Sequence, residues 1–108
     1  MAGFELLPSA ARTTSGSSTP VTDQGDEKTL RVQLNVTAAS GTSPTLNVVV
    51  EDTLDGTNWN TIGTFAQRVG PGREVINITT PFANQVRTSY TIGGTTPSFT
   101  FSVDCYSE

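Results

Sequence analysis

The sequence has no histidine, a single cysteine and no long hydrophobic run, and each absence excludes a class of protein. Without histidine, Ser-His-Asp and Cys-His catalytic arrangements are impossible, and the usual proton carrier near neutral pH is missing. One cysteine, Cys105, cannot form an intramolecular disulfide framework. No segment reaches the ~20 apolar residues of a membrane-spanning helix. The first residues also lack a signal-peptide pattern. We therefore expect synthesis in a cytoplasm and no membrane partner.

Basic residues are also few. Six stand against ten acidic residues, which gives a formal net charge of −4. A nucleic-acid surface needs clustered Lys and Arg to displace counterions, whereas the basic residues here are scattered, so we expect no nucleic-acid partner. The acidic residues fall mostly at turns and exposed strand positions of a chain too small to build a walled cleft around a carboxylate pair. We expect no enzyme activity and no cofactor.

What the sequence does have is Thr, Ser, Asn and Gly, together with apolar residues that alternate with polar ones. Alternation with a period of two indicates strands that are buried on one side. It recurs in six segments separated by Gly, Pro, Asn and Asp, namely 29–37, 45–51, 58–65, 73–79, 85–92 and 98–105. This pattern predicts an all-β fold: a single small antiparallel β-sandwich or barrel of about six to eight strands, jelly-roll-like.

Two segments resemble each other. "SGTSPTLNVVV" (40–50) and "GGTTPSFTFSV" (93–103) share a pattern of Gly, Thr, a polar residue and Pro before an apolar run. We interpret them as two similar hairpins packed face to face. Pro44 and Pro97 would then lie at strand starts, where the missing N–H removes no ladder hydrogen bond.

The N-terminal part differs in composition from the rest. We predict an extended, flexible arm over residues 1–27 and the sandwich domain over residues 28–108. The arm has a short apolar patch followed by a Ser/Thr/Gly-rich run without strand or helix periodicity. Such a run buries too little apolar area to offset its ordering entropy. Two interpretations stay open: a disordered terminus, or an arm that orders on a partner.

The acidic stretch "EDTLDGTNW" (51–59) raises the question of a metal site. Asp52, Asp55 and Asn58 offer oxygen ligands around Gly56, but their spacing does not match the helical Ca²⁺-binding loop. The Asp-Gly pair instead suits a hairpin turn. We therefore expect a chain reversal and no metal site, with Ca²⁺ binding as the alternative.

Two residues with possible chemistry have a simpler structural interpretation. Cys105 is in register with Phe99, Phe101 and Val103, so we expect a core residue rather than a nucleophile. Trp59, which follows the acidic turn, is expected to anchor the core. The alternative is that Trp59 is a platform on which a sugar stacks, with Tyr90 and Tyr106 beside it.

The run "VTAASGTSPTLNVVVEDTLDGTNWNTIGTF", followed by "GPGREV" and "GGTTPSFTFSV", resembles short proteins that tailed bacteriophages encode among their head-morphogenesis genes. That group is identified with capsid decoration, or cement, proteins of β-sandwich type. The resemblance covers roughly residues 30–104. This sequence departs from the pattern of that group at "QVRTSY", which keeps Arg87 but has Tyr90 in place of a larger aromatic residue.

The resemblance implies a structural virion protein that binds the outer surface of a phage capsid and stabilises the expanded head. It would be made in the host bacterial cytoplasm, with the major capsid protein as its partner. Free sheet edges also favour a homo-oligomer, a trimer or a dimer. The residues expected at the capsid or subunit interface are Phe4, Leu6, Leu7, Arg12, Val49 and Arg87. The alternative is a carbohydrate-binding or adhesin-type β-sandwich, or a neck or tail component, of a phage virion.

Overall fold

The computed structural model describes residues 2–22, 29–79, 82–83 and 85–107. All regular elements in these residues are β-strands, and their pairing is antiparallel, so the predicted all-β class is confirmed. No helix in this part of the chain is long and apolar enough to cross a membrane. The strands are β1 (Ala2–Arg12), β2 (Gly16–Ser17), β3 (Val21–Thr22), β4 (Leu30–Thr53), β5 (Trp59–Thr64), β6 (Gly72–Ile78) and β7 (Gln85–Ser107).

Two long strands organise the fold. β4 and β7 pair along their whole length, from Leu30 opposite Ser107 to Thr53 opposite Gln85. At one end, β6 adds to β4 and β1 adds to β7, which gives a first half-sheet in the order β6–β4–β7–β1. At the other end, β5 adds to β4, and β2 and β3 add to β7, which gives a second half-sheet. Each long strand therefore contributes to both half-sheets.

The two half-sheets enclose one core between them. Tyr90 of the second half-sheet and Phe101 of the first meet edge to face, with their ring centroids 5.3 Å apart. A Cβ added at Gly63 of the second half-sheet would lie 2.9 Å from the side chains of Ile76 and Ile78 of the first. This facing arrangement is a β-sandwich. The core consists of Leu6, Leu7, Leu30, Val32, Leu34, Val36, Leu46, Val48, Val50, Phe65, Ile78, Val86, Phe99, Phe101, Val103 and Cys105.

The long strands bend where the two similar segments lie. Thr42 is opposite Thr95, and irregular pairing surrounds both residues. Gly41 and Gly94 have φ values of 111° and 114°, and Ser43 and Thr96 have 48° and 47°. The segments therefore pair with each other about a local two-fold axis, and they do not start two separate hairpins. Pro44 and Pro97 lie within the long strands because irregular pairing leaves positions that need no N–H donor.

The N-terminal segment is part of the sandwich, and here the flexible-arm prediction is wrong. β1 pairs with the last part of β7, and Leu6 and Leu7 belong to the core. Consecutive residues of a regular strand point to opposite faces, but the register shift between Glu5 and Leu7 lets both leucines turn inward. Residues 23–27 of the predicted arm lie outside the described residues.

Candidate functional site

The predicted interface residues do not form one surface. Phe4 packs against the core, and Leu6 and Leu7 lie in it. Arg12 donates hydrogen bonds to the carbonyls of Pro8, Ala10 and Phe101 at 2.7, 3.1 and 3.0 Å, and its guanidinium lies 5.0 Å from the Phe101 ring centroid. These contacts hold β1 to its own sheet.

Val49 and Arg87 lie elsewhere, on the outer face of the second half-sheet. Val49 is half-buried and paired with Ser89 of β7 and Thr64 of β5. Arg87 is paired with Glu51, two residues further along β4. Because side chains alternate along a strand, Val49, Glu51 and Arg87 share one side of the sheet. Of the six predicted interface residues, these two are therefore on an open sheet face.

A polar and aromatic cluster lies on this outer face, and we call it the Trp59 face, defined by Glu51, Trp59 and Arg87. The Arg87 Nε atom donates to Glu51 Oε1 at 2.8 Å. The centre of the Arg87 guanidinium lies 4.2 Å from the centroid of the Trp59 ring. An arginine over an indole is attracted by the ring quadrupole, and the ion pair fixes its position. The three side chains therefore support one another in a single arrangement.

The Trp59 face offers three kinds of contact to a ligand. Part of the indole is exposed, which provides a flat apolar surface with one N–H donor. The Nη nitrogens of Arg87 have no hydrogen-bond partner among the described residues, so they are available as donors. The carboxylate of Glu51 has a second oxygen that can accept a hydrogen bond. Donors, an acceptor and an apolar plane thus lie side by side.

Trp59 is not the core anchor that the sequence predicted. It belongs neither to the core cluster nor to the hydrophobic residues packed against it. It is paired with Thr53, which follows Glu51 on the outward side of β4, and register therefore directs the indole outward. The turn length sets this register, and the local pattern "NWNTIG" does not reveal it.

The two tyrosines do not join Trp59. Tyr90 packs inside against Phe101, whereas Tyr106 is on the outer face of the first half-sheet. Cys105, by contrast, is buried in the core as predicted.

The acidic stretch reverses the chain between β4 and β5. The carboxylate of Asp55 accepts hydrogen bonds from the backbone N–H of Asn58 and Thr57 and from the side chains of Asn58 and Thr53. These bonds, led by the Asn58 N–H, hold the pKa of Asp55 well below its usual range. The loop is longer than a two-residue primed turn, with Gly56 at φ 83°. Asp55 therefore stabilises the loop conformation.

The other two acids of this stretch have different partners. Asp52 is buried and accepts a hydrogen bond from the Ala83 N–H at 2.8 Å, and Glu51 pairs with Arg87. The three carboxylates thus serve three separate interactions. Within the described ranges, no group of three or more His, Cys, Asp or Glu residues is placed to hold a metal ion.

Comparisons with known proteins assign no family to this chain. No protein-family model and no curated protein matches the sequence. Among solved structures, the chain is similar to chitosan-binding module 1 from a chitosanase/glucanase of Paenibacillus sp. IK-5, with 25% sequence identity and a TM-score of 0.47. The similarity covers 94% of this chain and 95% of that one. At this TM-score the comparison assigns no ligand to this chain.

Proposed function

We propose that this protein is a non-catalytic β-sandwich that binds carbohydrate through the Trp59 face. The observation that carries the proposal is the position of its single tryptophan: outside the core, partly exposed, and held at 4.2 Å by the Arg87 guanidinium. Leaving a large indole in contact with water forgoes the apolar burial that a small domain needs. A function for the exposed ring explains that arrangement.

The chemistry of the face suits a sugar. The C–H faces of a pyranose ring are flat and apolar, and they would stack on the exposed part of the indole, while the ring hydroxyls would bind Arg87 and Glu51. Apart from Val49, neighbouring outward residues on β4, β5 and β7 are short and polar, among them Asn47, Thr61 and Thr91. A long polysaccharide could lie along such an open surface without entering a pocket.

The single tryptophan also provides the test. We would identify ligands on a glycan array and then titrate them while recording Trp59 fluorescence. Trp59→Ser should reduce the affinity by at least about tenfold, which corresponds to ~1.4 kcal/mol. Arg87→Lys should also weaken binding, because an ammonium group cannot reproduce the planar stack. Val69→Ser, which changes an exposed apolar residue in the β5–β6 loop, is the matched control and should bind normally. An array without any specific signal, or full binding by Trp59→Ser, would contradict the proposal.

A second candidate is a capsid decoration protein, which the resemblance over residues 30–104 favours. The structure changes how such a protein would grip the shell. Leu6 and Leu7 are buried in this chain's own core, so they are not available to fold against the capsid. A decoration protein of this structure would instead contact the capsid through its sheet faces, including Val49 and Arg87. Repetition on a capsid lattice would strengthen individually weak contacts.

This second candidate has its own test. Purified protein would be sedimented with expanded phage heads that lack it, across a salt series. Saturation at a fixed ratio to the major capsid protein would support decoration, and absence of binding at every salt concentration would exclude it. The two candidates are separable, because a glycan binder gives a fluorescence change with free sugar and a capsid binder does not.

A further inference from the structure

The outer face of the first half-sheet is a second open surface, on the side of the sandwich opposite the Trp59 face. We call it the Tyr106 face, defined by Glu5, Arg31, Arg73, Val75, Asp104 and Tyr106. Val75 and Tyr106 remain 39% and 38% exposed, which is high for large apolar side chains in paired strands. Beside them is a depression of about 220 Å³ lined by Arg31, Gln33, Val75, Asp104 and Tyr106, together with Cys105. Two protruding apolar side chains and a depression thus lie on the same face.

The charges on the Tyr106 face are separated. Its two arginines lie on β6 and β4, the first two strands of the order β6–β4–β7–β1, and its two acids lie on β7 and β1. Asp104 is opposite Gln33 on one side and Glu5 on the other, and Arg31 is opposite Tyr106. The face is therefore basic on the half formed by β6 and β4 and acidic on the half formed by β7 and β1. Val75 lies on the basic half, and Tyr106 lies on the acidic half beside Arg31.

A surface divided in this way is complementary to itself. We propose that the Tyr106 face binds a second copy of this chain, related by a two-fold axis that runs parallel to the strands. That axis places β4 over β7 of the second copy and β6 over its β1. Basic strands then meet acidic strands at both edges of the interface, as an isologous contact requires. Turning the axis by a right angle would instead place arginine strands against arginine strands.

The same axis fits the shapes of the two faces. Because Arg31 and Tyr106 are directly paired, the axis puts the second copy's Tyr106 above Arg31, at the margin of the depression. An arginine is a favourable neighbour for a tyrosine ring, and it can also reach the second copy's Asp104 one row further along the strand. Each copy thus inserts a ring and receives one.

The size of the face determines how stable the pair is. Four strands about 4.8 Å apart and about seven residues long, at about 3.3 Å per residue, give a face of roughly 19 × 23 Å. Two such faces cover on the order of 900 Å² in total, which lies at the small end of specific interfaces. The dimer is therefore reversible, and it weakens as salt screens the charge pairs between the two copies. It also leaves the Trp59 face of each copy uncovered.

Sedimentation equilibrium of the full chain, from micromolar to millimolar concentration, tests the proposal. The wild type should show a monomer–dimer equilibrium. Arg31→Asp and Asp104→Arg should each raise the dissociation constant by at least about tenfold, because each places like charges opposite one another. The combination of the two substitutions restores the pairing with reversed charges and should recover most of the affinity. Thr91→Arg places an arginine on the same strand as Asp104→Arg, β7, but on the opposite side of the sandwich, and it should leave dimerisation unchanged.

Several results would overturn the proposal. The wild type could stay monomeric at millimolar concentration, or the single variants could dimerise as tightly as the wild type. The double variant could also dimerise no more tightly than either single variant. Circular dichroism of each variant checks that it is folded. Arg31 and Asp104 lie on the outer face away from Trp59, so the glycan titration of the variants at these two positions reports separately on the proposed function.

Discussion

Replacing Leu7 by alanine tests whether the N-terminal strand belongs to the sandwich in solution. Leu7 is 6% exposed, pairs with Val103 and lies in the core cluster. Removing a buried leucine side chain costs about 2–5 kcal/mol, and an edge strand that can relax around the gap favours the lower half of that range. For a domain of about 100 residues, each kcal/mol shifts Tm by about 4–8 °C. We therefore expect Leu7→Ala to melt roughly 10–20 °C below the wild type.

The assay is thermal unfolding of the full chain followed by circular dichroism. Leu54→Ala is the matched control, since it makes the same chemical change at a side chain that is 84% exposed. Surface substitutions of this kind stay within about ±0.5 kcal/mol. If Leu7→Ala melted within about 2 °C of Leu54→Ala, β1 would not be docked in solution, because a buried leucine cannot be removed at so little cost. The N-terminal segment would then be the free arm that its composition suggests.

Two further predictions concern local stability. The pKa of Asp55 is lowered from 3.8 by hydrogen bonds to the folded loop, so its stabilising contribution is complete above that value and is lost as pH falls below it. Asp55→Ala should therefore lower Tm at neutral pH, and a Tm difference that did not shrink on acidification below pH 3.8 would refute this. Gly94→Ala places a Cβ 2.8 Å from the Ser43 carbonyl at φ 114° and should cost about 1–3 kcal/mol in urea unfolding. Gly70→Ala is the control, because a Cβ at Gly70 would lie in open space. Equal stability of Gly94→Ala and Gly70→Ala would contradict the predicted strain at position 94.

The strand faces could be predicted from sequence because a period of two is a local property of the chain. Leu30, Val32, Leu34 and Val36 alternate with polar residues and are all buried. The alternation does not show that residues 30–53 form one strand, since the Gly and Pro residues near position 42 predict an ending. Continuity depends on pairing with the similar segment around Thr95, which lies far away in the sequence. Such pairing carries no local signal.

The errors at the N-terminus and at Trp59 have a related cause. Leu6 and Leu7 are adjacent, so they show no alternation, and only a register shift against β7 turns both inward. The side that Trp59 faces depends on its pairing with Thr53 across the loop. In both cases a shift of one residue would exchange the buried and exposed faces. The candidate site is therefore determined by register, which residue types alone do not specify.

The two proposed surfaces constrain each other. β4 and β7 run through both half-sheets, so the Tyr106 face and the Trp59 face are opposite outer sides of one thin sandwich, whose extents are 43 × 25 × 20 Å. A dimer formed through the Tyr106 faces therefore points its two Trp59 faces away from each other. Such a pair cannot place both sites on one short oligosaccharide, and dimerisation would leave affinity for a free sugar unchanged. It would instead connect two separate chains or surfaces, where effective concentration makes two weak sites act as one strong one.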